Sequence, residues 1–145
     1  MKAYPHEYQV SATAQALGEV QLDSPGLETL HSSPPVEFDG PGDRWSPETL
    51  LIAAIADCFI LTFRAIARAT RMDWQGLECK VTGTLAREQG KSRFTTYLVS
   101  ARLTVPAGVD IAQARAALEK AEHGCLISNS VNGEIKLDTE VVALG

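Results

Sequence analysis

Several patterns are missing from these 145 residues, and each absence removes a class of function. There is no excess of basic charge. Lys and Arg number 13 against 18 Asp and Glu, a net charge of -5, which argues against a nucleic-acid binder. No cysteine pair has CxxC spacing, and His6, His31 and His123 have no zinc-like spacing to Cys58, Cys79 or Cys125. No metal or other cofactor is therefore expected. Three cysteines are an odd number, which fits lone thiols in a reducing compartment better than a disulfide framework. Met1 to Val10 lacks an apolar centre, so no signal peptide is expected there. The longest apolar stretch carries Asp57 and Arg64 inside it, and its clean run falls short of about 18 residues, so a membrane span is not expected either. There are no repeats and no low-complexity tracts. These absences leave a single cytoplasmic domain over residues 1–145.

What is present centres on Ser46 to Arg71, SPETLLIAAIADCFILTFRAIARATR. Ser46 is a natural N-cap, Pro47 fits the first helical position, and Glu48 lies where the helix dipole favours an anion. From Leu50 to Ile66 the helix is apolar on nearly every face, so other structure must wrap it. Before it, residues 7–15 and 19–23 read as two short strands, and the Pro-, Gly- and Ser-rich stretch 24–43 reads as irregular loop. Trp45 reads as a staple at the helix entry. After the helix, 75–87 and 92–105 alternate cleanly and predict an antiparallel hairpin. Leu77, Cys79, Val81, Gly83 and Leu85 share one face. Tyr97, Val99, Ala101, Leu103 and Val105 share the other strand's face. Residues 110–123 form an amphipathic helix with Ile111, Ala114, Ala117, Leu118 and Ala121 in a stripe and Gly124 as C-cap. Residues 125–131 make a short turn, and 134–143 form a last strand. The order is β-β-α-β-β-α-β, an α+β fold with one long buried helix against an antiparallel sheet. One sheet and one helix do not cover the central helix, so a homodimer is expected in which two central helices pack together.

The cysteines carry the chemical question. A thiol reacts as thiolate and needs access and a favourable charge environment. Cys58 sits mid-helix, away from any helix N-terminus, so its activation is expected from a cation outside the helix. Asp57 is its neighbour in sequence, yet successive helical residues diverge by about 100°, so the carboxylate should face elsewhere. Cys125 opens the CLISNSV turn, where free N–H groups suit a low-pKa thiol. Cys79 lies on the apolar face of a strand with nothing ionisable beside it, and reads as packing. That bland reading applies to every free cysteine, because most are small buried hydrophobes. His123 reads as a cation at a helix C-terminus, and His31 as a loop residue able to line a pocket.

WSPETLLIAAIADCF followed by HGCLISNSV resembles the OsmC/Ohr family of thiol peroxidases. Ser46, Pro47 and Glu48 match the family's opening, Cys58 its mid-helix cysteine, and Cys125, Ile127 and Ser128 its later motif. The resemblance covers essentially the whole chain. It implies an intertwined homodimer with sites at the interface, and reduction of small-molecule organic hydroperoxides. Cys58 would be the peroxidatic thiolate and Cys125 the resolving thiol. A dithiol reductant, a lipoyl group in one branch of the family, would reduce their disulfide. Glu48 lies about 15 Å from Cys58 along one helix at 1.5 Å per residue. A partner's helix could bring it close, to orient an arginine that stabilises the thiolate.

That arginine is where the chain departs from the family pattern. Residues 1–43 contain no Arg, and Glu37 stands near the family's loop position. Arg44 is the one candidate upstream of the helix, with a solvated loop charge as its plain alternative. Arg64 and Arg68 read as surface or interface charges. The catalytic set implied by the resemblance is Cys58, Cys125, Glu48 and Arg44. The alternative function is non-enzymatic, an OsmC-like protein that binds a small apolar ligand or senses oxidants. A purely structural dimer module explains the helix but not the two cysteines.

Overall fold

Alternation of apolar and polar residues builds the larger part of the molecule. In the computed structural model, which describes Met1 to Gly145, residues fall into two compact units, Met1–Leu51 and Ile52–Gly145. The boundary lies inside the first long helix.

The first unit holds a three-stranded antiparallel sheet of β1 (Ser11–Thr13), β2 (Val20–Asp23) and β3 (Leu30–Ser32), in that order. The expected strand over 7–15 is therefore only three residues long. A third strand lies inside the stretch expected as loop. Its cause is local: Ser24-Pro25-Gly26-Leu27 closes a turn with the Leu27 N–H on the Ser24 carbonyl at 3.1 Å. Gly26 supplies the left-handed φ of +77° that this turn uses. The turn folds His31 back opposite Gln21 on β2. A 3-10 turn at Val36–Phe38 follows, closed by Asp39 at φ +63°.

Helix α1 (Pro47–Ala69) begins as expected. The Ser46 hydroxyl accepts from the Thr49 N–H at 3.1 Å, and Thr49 Oγ1 accepts from the Ser46 N–H at 2.9 Å. This reciprocal pair satisfies two N–H groups that the first turn would otherwise leave unpaired. Trp45, just before the N-cap, is about half exposed. By length and composition α1 is long and apolar enough to cross a bilayer, more so than Asp57 and Arg64 suggested. Its Ile55, Phe59, Phe63 and Ala67 stripe is buried in a protein core, whereas Asp57 and Leu61 are exposed. Asp57 thus faces away, as the helical angle required.

The second unit contains β4 (Gly76–Glu88), β5 (Lys91–Pro106), α2 (Ile111–Gly124) and β6 (Glu134–Leu144). β4 and β5 form the expected hairpin, turned at Gln89-Gly90 with φ of +51° and +78°. Tyr97, Val99, Ala101, Leu103 and Val105 are all buried on one face, as their spacing demanded. Leu85 departs from its expected face and is exposed. The register shift between Thr84 and Leu85 lies beside it, where the pairing passes over Thr95 of β5.

β6 pairs with β5 in parallel, so the sheet β4-β5-β6 is mixed rather than antiparallel. The physical reason is the crossover. Between β5 and β6 the chain spends α2 and a turn, long enough to return to the starting end of the sheet. Asp110 caps α2 by accepting the Ala112 N–H at 2.9 Å. Ala114, Ala117, Leu118 and Ala121 face the core shared with the α1 stripe and β5. Gly124 is the last helical residue and Cys125 the C-cap. The turn that follows contains a 3-10 segment, Ser128–Ser130.

A candidate thiol site

The site forms where the turn after α2 reaches the middle of α1. A Cβ on Gly124 would lie 3.5 Å from Thr62 Cγ2, so the residue before Cys125 abuts α1 one turn beyond Cys58. Cys58 is half-buried, Cys125 is fully buried, and both are free thiols. They lie close enough for one to act as hydrogen-bond partner of the other.

Two opposing effects set the Cys58 thiol. Burial disfavours its thiolate, while hydrogen bonds from the Ile127 N–H, the Cys125 thiol, Thr62 and the Leu126 N–H favour it. The bonds prevail, and the pKa lies below the ordinary thiol value. Thr62 helps conditionally. Its hydroxyl donates to the Cys58 carbonyl at 2.7 Å and lies 3.8 Å from Sγ, and one proton cannot serve both at once. The backbone donors carry no such conflict, since the Leu126 and Ile127 N–H groups are not spent on a backbone carbonyl in the turn.

Cys125 shifts the other way. Burial raises its pKa, the Ser128 hydroxyl and N–H lower it, and the neighbouring Cys58 raises it again, with a net upward result. The sequence-based assignment is thereby corrected. The free N–H groups of CLISNSV do create a low-pKa thiol, but it is Cys58 across the gap rather than Cys125 at the turn's own start. Within the Ile52–Gly145 unit, backbone dipoles contribute to this activation. Leu126 and Ile127 act through their backbone, a role that residue type does not reveal. The signal available was the position of the turn directly after a helix-ending glycine.

Cys79 packs against the core, as expected. Burial raises its thiol to about 11, and the charge of Cys125 adds to that.

The remaining expected site residues lie in the Met1–Leu51 unit. Arg44 Nε donates to Glu19 Oε1 at 2.8 Å, and the other Glu19 oxygen faces His31 Nδ1 at 3.1 Å. The Arg44 guanidinium is stabilised in its charged form first by this hydrogen bond and then by the Glu19 and Asp43 charges. Arg44 is thus bonded to Glu19 rather than to Glu48. Glu48 Oε1 is shut away from solvent with no hydrogen-bond partner in the chain. His31 lies on β3 rather than in a loop, and with Arg44 and Trp45 it lines an open cleft of about 590 Å³. His123 is in the last turn of α2, where its carbonyl accepts from Asn129 Nδ2 at 3.2 Å.

Chemically, a thiol favoured as thiolate beside a second, buried thiol is an arrangement for thiol–disulfide chemistry on a mixed α+β scaffold. The chain belongs to the family of OsmC-like proteins, whose model matches residues 40–140. It is 32% identical over 117 residues to the uncharacterized protein YmaD of Bacillus subtilis, with 77% of each chain covered. It is 29% identical over 125 residues to the organic hydroperoxide resistance protein of Xanthomonas axonopodis pv. citri, with 86% of each covered. Its fold matches that of an OsmC-like protein of unknown function from Vibrio cholerae, with a TM-score of 0.83 at 19% identity, over 95% of this chain and 100% of that one.

Proposed function

We propose that the protein is a thiol-dependent peroxidase that reduces organic hydroperoxides. The observation that carries this reading is the pairing of Cys58, held toward thiolate by the Ile127 and Leu126 N–H groups, with the adjacent Cys125 thiol. The Xanthomonas relative's name as an organic hydroperoxide resistance protein supports the substrate class. The Cys58 thiolate attacks the distal peroxide oxygen, the O–O bond breaks, and the alcohol leaves. Cys58 becomes a sulfenic acid. Cys125 attacks that sulfur, water leaves, and a Cys58–Cys125 disulfide remains. An external dithiol such as a lipoyl group returns both thiols.

Burial suits Cys125 to this second role. A thiol kept protonated does not compete for the peroxide, and it needs activation only once sulfenic acid stands beside it. Apolar surroundings of the pair favour bulky alkyl peroxides over hydrogen peroxide. The reading includes a homodimer in a reducing cytoplasm, where the orphaned Glu48 oxygen takes an arginine across the interface. Arg44 serves that role by exchanging Glu19 for Glu48.

The test is stoichiometric. Reduced protein receives one equivalent of cumene hydroperoxide without oxygen, and disulfides are mapped by mass spectrometry. A Cys58–Cys125 bond formed within seconds, and absent in Cys58→Ser, is the expected result. Both thiols remaining free would overturn the reading in favour of an OsmC-like protein that binds an apolar ligand without turnover.

A further inference from the structure

One polar side chain beside Cys58 has no part in the two-thiol cycle. Thr62 follows Cys58 by four positions on α1, so the two side chains share a face, and both are half-buried. The Thr62 hydroxyl donates to the Cys58 carbonyl at 2.7 Å. That bond by itself is ordinary: Thr70 closes the same one on the Ile66 carbonyl at 2.9 Å. What sets Thr62 apart is a sulfur 3.8 Å from its Oγ1. Its rotamer is held from two sides. Oγ1 is tied to the Cys58 carbonyl, and the methyl carbon faces Gly124, where a Cβ would stand only 3.5 Å away. The hydroxyl proton is thereby committed to the backbone, and Oγ1 presents lone pairs to the sulfur. While Cys58 is a thiol, its S–H is the donor that matches them. Once Cys58 ionises, the lone pair beside the sulfur has lost that donor.

We propose that Thr62 positions the hydroperoxide, its Oγ1 accepting the substrate O–H and aiming the distal oxygen at the Cys58 sulfur. The inference rests on the peroxidase reading and adds a substrate contact to that site. The distances suit it. An oxygen about 2.8 Å from Oγ1 and about 3–3.5 Å from the sulfur closes a triangle on their 3.8 Å separation. The substrate proton takes the place that the thiol proton leaves.

The contact also selects which oxygen is attacked, because in R–O–O–H only the distal oxygen carries hydrogen. An S–O bond forms as the O–O bond breaks, and the electron pair of the broken bond goes to the proximal oxygen. That oxygen leaves as alkoxide and takes a proton from solvent. The proton held by Thr62 stays on the distal oxygen throughout and ends as the sulfenic O–H. Thr62 therefore neither gains nor loses a proton in the step, and its bond to the Cys58 carbonyl is kept.

The test compares two reagents on the same sulfur. Cumene hydroperoxide has an O–H to give, whereas methyl methanethiosulfonate reacts with the thiolate and has no O–H or N–H. Wild type, Thr62→Val and Thr62→Ser are mixed with each from pH 5 to 9, quenched, and Cys58 is read by mass spectrometry. Valine keeps the branch and the methyl group but lacks Oγ1. Thr62→Val should react about five- to tenfold more slowly with the hydroperoxide, the loss of one hydrogen bond to substrate, and equally so at pH values where Cys58 is fully ionised. Its rate with methyl methanethiosulfonate should be unchanged, and Thr62→Ser should keep the wild-type rate with both. Thr62→Ala, which also lacks the hydroxyl, must behave as Thr62→Val. A Thr62→Val rate equal to wild type with the hydroperoxide overturns the inference and leaves the peroxidase reading standing. Equal slowing with both reagents overturns it too, because Thr62 then acts on the thiolate and not on the substrate. Thr62→Ser as slow as Thr62→Val also overturns it, since the hydroxyl is then not what matters. A wild-type Cys58 that cumene hydroperoxide does not oxidise overturns both.

Discussion

Replacing Leu126 with proline should slow the reaction of Cys58 by removing a single hydrogen atom from its surroundings. The position accepts proline well. Cys125 before it is extended, with φ -70° and ψ +108°, the conformation a following proline prefers. Leu126 opens the short helical turn, where its N–H has no backbone acceptor to lose. Leu126 is 62% exposed, so little packing is forfeited. What is lost is one N–H directed at the Cys58 sulfur, the smallest of the contributions that favour the thiolate. A hydrogen bond to a charged group contributes about 1.5–3 kcal/mol, and the low end of that range is about a tenfold loss of thiolate at pH values where the thiol is mostly protonated. The thiolate that remains is more basic and more nucleophilic, which with a Brønsted slope of about 0.4–0.5 returns about threefold. The net expectation is a rate with cumene hydroperoxide about three- to fourfold slower at low pH. At high pH, where both are ionised, the variant is about threefold faster, so the two pH–rate profiles cross and that of the variant moves toward alkaline pH. Stopped-flow measurement of Cys58 oxidation from pH 5 to 9 reads both, with circular dichroism to confirm folding. A folded variant whose profile overlays the wild type would show that backbone N–H groups do not activate Cys58.

Other measurements probe the same architecture. At pH 7, iodoacetamide should label Cys58 well before Cys125 or Cys79, because the first thiol is shifted down and the other two up; mass spectrometry showing Cys79 labelled first would contradict the burial argument. Gly83→Ala places a methyl group into Ile52 and 3.1 Å from the Phe94 ring, so it should cost about 1–3 kcal/mol in urea unfolding, with Ile52→Val recovering part of the loss. Phe59→Ala, which empties a fully buried site, should cost about 3–5 kcal/mol by the same assay. The dimer of the proposed function predicts a two-chain species at micromolar concentration, and a monomer by sedimentation would remove it.

Local chemistry written in consecutive residues is legible in the chain itself. Ser46-Pro47 starts α1, Asp110 starts α2, and the alternation of Tyr97 to Val105 defines one buried face. Each depends on neighbours within a few positions, where period and capping act. The pairing of Cys58 with Cys125 is accessible through a resemblance in two short motifs. Features that depend on partners distant in the chain are not legible. Leu85 reads as inward yet is exposed, beside a one-residue shift in the pairing with β5. β6 reads as one more antiparallel strand until the α2 crossover returns it parallel to β5. A serine-, proline- and glycine-rich stretch reads as loop until Gly26 folds β3 onto β2.

The sequence by itself determined which residues could be reactive, since thiols and their order along the chain are covalent facts. Only the tertiary structure decided which of them is activated. The N–H groups that favour a thiolate belong to the backbone of Leu126 and Ile127, and any residue but proline carries one. Their effect on Cys58 comes from direction and distance across a gap between two elements, and folding alone sets those.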